Sequence, residues 1–360
     1  MPLPFEYNFP AIRGIQAGRE YYVSMCPVRL IPKIFSFDDE EIPAEMRAQR
    51  ILNRTRVPEI AHYITDNISG YVFSAITVSI NADIKFEPIG TEDIGSLKIP
   101  MDARFVINDG QHRRAAFEIA LKENPEIGDE TIAVVFFADL GLKRSQQMFT
   151  DLNRHATKPD PSLNILYDYR DRKAILSKAV MKDVRVFDKL TDTERSNLPI
   201  RSSKLFTLSS IYNATNVLLV NYKNSSIEEQ ITLASKFWNV VSSKIPDWEQ
   251  VLEKKVSSGE IRREYVHSHA VTLQSIGAAG STLVSLYPDN WHEHMENLKK
   301  IDWSRSNPLW EGRIMSGGRI SKARACVILM TSYIKKTLKL PLTLEEEKLE
   351  KAIKLAGGNK

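Results

Sequence analysis

Cysteine is nearly absent: Cys26 and Cys326, far apart, are the only two in 360 residues. That scarcity rules out a Cys-rich zinc module and suits a reducing compartment, a single long-range disulfide being the alternative. Long apolar runs are also missing. "AVVFFA" and "VILM" fall far short of the roughly 20 residues that span a bilayer, so no membrane partner is expected. The opening "MPLPFEYNFP" has neither a basic segment nor an apolar core, which argues against a secretory signal and for a cytoplasmic protein. No Gly-x4-Gly-Lys-Ser/Thr loop, Gly-x-Gly-x-x-Gly turn, serine elbow or kinase-like set occurs, so neither a P-loop nor a Rossmann cofactor site is expected. Tandem repeats and low-complexity segments are lacking too.

What is present is globular. The chain is 42% hydrophobic, 26% charged and 9% aromatic, a balance that buries a core, and its length suits two domains or one large domain with an extension. A net charge of +4 and a pI near 8.8 permit an anionic partner without demanding one. The distribution says more: residues 38–45, "DDEEIPAE", are acidic, whereas residues 301–340 carry eight Lys/Arg against two acids.

Hydrophobic periodicity divides the chain. "YYVSMCPVRLIP" reads as an opening strand. "AEMRAQRILNRT" and "VPEIAHYITDN" follow as helices, the second with Pro58 in its first turn. "GYVFSAITVSI", "ARFVIN" and "TIAVVFFADL" read as strands, and "QHRRAAFEIALKEN" and "LKRSQQMFTDLNRHA" as helices. Residues 1–165 are therefore expected to form an α/β (α+β) domain with a mixed sheet, and residues 166–360 a mainly helical domain. "TDTERSNLPIRSS" is the expected mobile loop of the second half.

One stretch concentrates chemistry. In "FVINDGQHRRAAFEIAL" (105–121) a strand ends in Asn108-Asp109-Gly110 and becomes a helix within Gln111, His112, Arg113 and Arg114. Gly110 suits the tight turn, and Asp109 suits a cap for the first-turn amides. Those amides and the positive helix end form an anion site, to which Arg113 and Arg114 would add forked donors and His112 a neutral-pH proton donor or acceptor. The structural alternative is an ordinary Asp-Gly turn with two solvated arginines.

"DGQHR" is the signature of the DGQHR-domain proteins, and the stretch resembles the glycine-plus-arginine phosphate motif of the ParB/sulfiredoxin-like superfamily. With "CPVRLIPKIF", "RAQRILNRTRVPEIAHYI" and "YVFSAITVSI" before it and "MFTDLNRHATKP" after it, nearly the whole chain resembles the DndB family of DNA sulfur modification proteins. The resemblance implies a cytoplasmic bacterial protein encoded with the enzymes that place phosphorothioates in DNA. It further implies a DNA-binding transcriptional repressor of those genes rather than a sulfur-transfer enzyme. One departure matters: sulfiredoxins carry a cysteine between the glycine and the His-Arg pair, where this chain has Gln111, which cannot be a thiol nucleophile.

A second constellation, "MFTDLNRHATKPDPS" (148–162), ends a helix in Asn153, Arg154, His155 and Lys158. It is either a C-cap with favourable charges or, with Asn153, Arg154 and Lys158 facing the DGQHR turn, the completion of an anion pocket. That this motif follows the first is also a family trait. A third lies in "RIMSGGRISKARACVILMTSYIKK", where Gly317-Gly318 and Arg319 precede a helix expected to start near Ser321. Ala323, Val327, Met330 and Ile334 would form its core stripe, leaving Arg319, Lys322 and Arg324 for DNA phosphates. His267/His269 and His292/His294 are weak metal candidates beside the reading as surface histidines. Cys26, on a strand, is expected to be a buried small hydrophobe and an outside candidate for redox or DNA contact.

The leading expectation is thus a regulator that binds double-stranded promoter DNA, with or without a regulatory nucleotide such as ATP. Other DNA sulfur modification proteins and a second copy of the chain are further candidate partners. The alternative is a ParB-like nucleotide hydrolase or nuclease with Asp109 and His112 as acid/base groups. A third reading is an interaction subunit that uses the acidic 38–45 segment.

Overall fold

The computed structural model describes residues 5–35, 52–90, 93–138, 142–154 and 159–357. The chain divides into two compact units, Met1–Thr157 and Lys158–Lys360. The acidic 38–45 segment, most of the expected helix before residue 55, His155 and Lys158 lie outside the described residues.

The first unit contains β1 (Glu6–Gln16), β2 (Arg19–Pro27), α1 (Ile31–Ile34), α2 (Arg56–Asp66), β3 (Ile76–Asn81), β4 (Lys85–Pro88), β5 (Ile94–Pro100), β6 (Arg104–Asp109), α3 (Gln111–Glu123), β7 (Thr131–Ala138) and α4 (Leu142–Arg154). The seven strands form one sheet in the order β4-β5-β1-β2-β7-β3-β6. Only β3 and β7 pair in parallel, so the sheet is mixed. Three strands exceed the expectation: β1, paired with β2 through a tight turn at Ala17-Gly18, and β4 and β5, which occupy the stretch read only as polar. β3 is flanked on both sides and reads Ile-Thr-Val-Ser-Ile, all buried, as a doubly covered strand should.

β6 ends the sheet, yet Phe105, Val106, Ile107 and Asn108 are buried. α4 packs along it, bringing the Met148 sulfur to 3.1 Å from the Asn108 amide nitrogen. The pairing of β6 with β3 also slips at its end. Val78 faces Ile107 but Thr77 faces Asp109, so Asn108 is an extra residue. Such a bulge re-aims the side chains that follow it, here immediately before the DGQHR turn.

The second unit is helical: α5 (Pro161–Tyr167), α6 (Arg172–Asp183), α7 (Arg185–Leu190), α8 (Leu208–Leu218), α9 (Ile227–Lys244), α10 (Pro246–Leu252), α11 (Ser258–Glu264), α12 (Ala270–Leu286), α13 (Trp291–His294), α14 (Arg324–Thr337) and α15 (Leu344–Gly357). α12 is the central helix, packed against α8 and α14. Its Gly277 lies so close to α8 that a Cβ there would sit 2.2 Å from the Ala214 carbonyl oxygen. Three fully buried tryptophans, Trp238, Trp248 and Trp310, anchor the core.

Two expectations are corrected here. The segment read as a mobile loop is pinned: the Arg262 guanidinium donates to the carbonyls of Pro199, Ile200 and Lys204, and the Ser196 amide to Asp160. The C-terminal stripe begins later than expected, because α14 starts at Arg324 and Ala323 is its exposed N-cap. Met330 and Ile334 are buried and Val327 is half-buried.

Candidate functional site

The DGQHR junction is a strand, a left-handed glycine and a helix. Gly110 has φ +106° and is the N-cap of α3, a conformation that favours glycine. A Cβ there would also approach the Ile76 side chain to 3.0 Å. The expected cap by Asp109 is not formed. No side chain caps α3, and the Asp109 carboxylate instead takes a 2.6 Å ion pair from Arg113 one turn on. The first turn of α3 thus receives no cap from Gly110 or from Asp109.

The four polar residues after the glycine separate by direction, since successive helical residues turn by about 100°. Gln111 is buried and its amide donates to the Ile107 carbonyl at 3.3 Å. Arg114, three residues on and on the same face, is 8% exposed. Its guanidinium donates to the carbonyls of Phe35 at 2.8 Å and Pro32 at 2.7 Å, and also pairs with Glu118. This removes Arg114 from the expected phosphate donors: it staples α3 to the segment around α1. His112 and Arg113 face the other way. The His112 Nε2 accepts the Asn53 backbone N–H at 3.1 Å, which assigns the proton of the neutral ring to Nδ1. Arg113 also donates to the Ser74 carbonyl at 2.7 Å.

These residues border a cleft of about 510 Å³ whose walls include Arg56, Phe73, Asn108, His112, Arg113 and Phe149. α4 contributes Phe149 and Asn153 to the walls of this cleft. Arg154 is exposed at the end of α4 and does not line the cleft.

Two cleft residues escaped sequence reasoning. Arg56, the first residue of α2, is exposed and has no ion pair among the described residues. Because Asp109 offsets Arg113, Arg56 leaves the cleft one unmatched positive charge. Asn108, fully buried, bonds the Ser79 hydroxyl at 2.6 Å, while its carbonyl oxygen has no partner. The available signal was an asparagine closing an otherwise apolar strand.

In the second unit the expected basic surface is largely neutralised. Lys335 and Lys336 pair with Glu346 and Glu350, Arg313 with Glu350 and Arg324 with Glu345, all on α15. The Gly317-Gly318 amides ahead of them donate to the Glu311 carboxylate. Arg319 is exposed on the short hairpin that the two glycines close, and Lys322 borders a separate cleft.

The histidine pairs hold no metal constellation: among the described residues no three His, Cys, Asp or Glu converge. His267 is a core residue rather than a surface one, accepting the Trp248 indole N–H at 3.0 Å and facing the Asp247 carboxylate at 3.2 Å. Burial pushes it down from its ordinary pKa, Asp247 opposing. Cys26 is fully buried, and burial pushes its thiol up to about 12, so its thiolate is scarce at neutral pH.

The first unit is therefore a mixed-sheet domain presenting an uncapped, glycine-led helix end to a cationic cleft. The chain belongs to the DndB family, described as DNA-sulfur modification-associated, whose model matches residues 9–341. Comparison with curated proteins gives no match, and comparison with solved structures gives none. No described helix is long and apolar enough to cross a membrane.

Proposed function

We propose that the protein is a DNA-binding regulator of the DNA sulfur modification genes, gripping backbone phosphate through the DGQHR cleft. The observation that carries this reading is the uncapped α3 N-terminus, with Gly110 at its head and Arg56, His112 and Arg113 around it. Oriented amides and forked guanidinium donors match phosphate oxygens. Membership of a family associated with DNA sulfur modification supplies the biological context. The strand-turn-helix presentation also supports placing the first unit with the ParB/sulfiredoxin-like fold.

A second reading has one observation in its favour. The cleft's volume and its Phe73 and Phe149 walls suit a mononucleotide, which would make ATP either a regulator or a substrate. Fluorescence anisotropy separates the two. A duplex from upstream of the protein's own gene cluster and a scrambled duplex of equal length are titrated at several salt concentrations, with and without ATP. Preference for the upstream duplex that survives near physiological salt supports the regulator. Equal, salt-sensitive binding to both, with ATP turnover lost in His112→Ala, supports the hydrolase.

A further inference from the structure

The second unit holds a cleft of about 410 Å³ at the N-terminus of α12. Four of its fifteen lining residues, Arg262, Arg263, Arg305 and Lys322, are cations, none is a carboxylate, and among the described residues Arg263 alone of the four is offset, by Glu264 beside it. Two of these cations also build the walls. Arg262 pins the 199–204 loop, and Arg305 donates to the carbonyls of Arg263 at 3.3 Å and Gly318 at 2.7 Å. Lys322 is exposed and has no ion pair among the described residues.

The helix end itself is open. His269 occupies the N-cap without capping, its Nε2 being 2.9 Å from the Arg262 carbonyl oxygen; since a carbonyl only accepts, Nε2 carries the proton. Among the described residues neither Ala270 nor Val271 has a backbone or capping acceptor for its N–H. The independent sign of a ligand is Ser268. It lines the cleft, is 5% exposed, and its hydroxyl has no hydrogen-bond partner. A buried hydroxyl without a partner is costly and uncommon. Here it stands at a 17-residue helix N-terminus inside a ring of cations, where a single oxyanion would satisfy hydroxyl, amides and guanidinium charge together.

We propose that this cleft is a phosphate site, distinct from the DGQHR cleft, taking either a DNA phosphodiester or the phosphate of a free nucleotide. Ser268 and the α12 amides hold the oxyanion, and Lys322 supplies the mobile charge at the rim.

Hydrogen–deuterium exchange of the 268–274 segment in the full chain tests it, with inorganic phosphate, ATP and a short duplex as probes. Inorganic phosphate should slow exchange there, and both Lys322→Gln and Ser268→Ala should weaken that protection about tenfold in phosphate concentration. Protection by the duplex assigns the phosphate to DNA, and Lys322→Gln should then lower the salt slope by about one. Protection by ATP and not by the duplex assigns it to a nucleotide. No protection by any probe, or protection unchanged in both variants, overturns the proposal. The inorganic phosphate arm does not depend on promoter recognition. An Arg56→Ala control leaves this segment's response intact, so failure of the DGQHR reading is distinguishable from failure here.

Discussion

Replacing Arg114 by methionine separates a structural arginine from a ligand-binding one. The guanidinium makes two charge-assisted bonds to carbonyls, that of Phe35 buried and that of Pro32 half-buried, each worth about 1.5–3 kcal/mol. Its partner Glu118 is 44% exposed, so that pair is screened and adds about 0.3–0.5 kcal/mol. Methionine refills much of the volume and restores none of the donors. A net loss of about 3 kcal/mol is expected, which corresponds to roughly 100-fold faster exchange of the α3 amides through local opening. Arg114→Lys should rescue little, because an ammonium cannot reach both carbonyls as a fork does. Hydrogen–deuterium exchange of residues 28–35 and 111–123 reads this directly. All five tryptophans lie in the second unit, so tryptophan fluorescence would not report on it. Unchanged exchange with a large loss of duplex affinity would refute the staple and return Arg114 to the ligand.

Arg56→Ala should leave stability within about 0.5 kcal/mol, as an exposed residue without an ion pair, while lowering the salt slope of duplex binding by about one; an unchanged slope removes it from the interface. Gly110→Ala forces a Cβ onto a φ of +106° and to 3.0 Å from Ile76. It should cost about 1–3 kcal/mol in urea unfolding followed by circular dichroism, and an unmoved midpoint would show that the turn relaxes. Burial depresses His269 from 6.5 to about 4, so between those values the unfolded chain binds the extra proton. Its contribution, of order 3 kcal/mol, is present above pH 6.5 and lost as pH falls towards 4. Tryptophan-monitored unfolding should show a shallower loss over that window in His269→Gln, and identical slopes would count against the burial argument.

The DGQHR junction was legible because its signals are local: a β-branched strand, an Asp-Gly turn and a run that turns helical. Which arginine faces a ligand was not. Arg114 is fixed by carbonyls of Pro32 and Phe35, partners remote in sequence that no spacing rule names. The same holds for the cleft, whose walls come from residues 56–60, 72–74, 108–113 and 149–153. The β1–β2 hairpin hid behind an Ala-Gly turn with both residues at positive φ, where Asn-Gly or Asp-Gly is the usual cue. β4 and β5 were missed because they intersperse Lys, Glu, Pro, Gly and Ser among a few apolar residues. Charge counting misled for another reason. The basic stretch of residues 301–340 is answered by the glutamates of α15, which pair with it only in the folded unit.

Asp109 decides between the two readings of the DGQHR cleft. Its carboxylate lies 2.6 Å from Arg113 and is about half exposed, so an incoming phosphate must share or displace that pair. If the cleft only grips phosphate, Asp109→Asn removes a repulsive charge, and Arg113 stays oriented by Ser74. Solvent screening limits the gain to about 1 kcal/mol, or roughly fivefold tighter duplex binding at low salt. The gain should vanish as salt rises, since a half-exposed charge is screened beyond a Debye length of about 10 Å at 0.1 M. If Asp109 instead serves chemistry on a nucleotide, the same substitution abolishes ATP turnover whether or not binding tightens. Weaker duplex binding with no turnover in either protein would exclude chemistry at Asp109 and overturn the repulsion argument, because the carboxylate would then act by positioning Arg113.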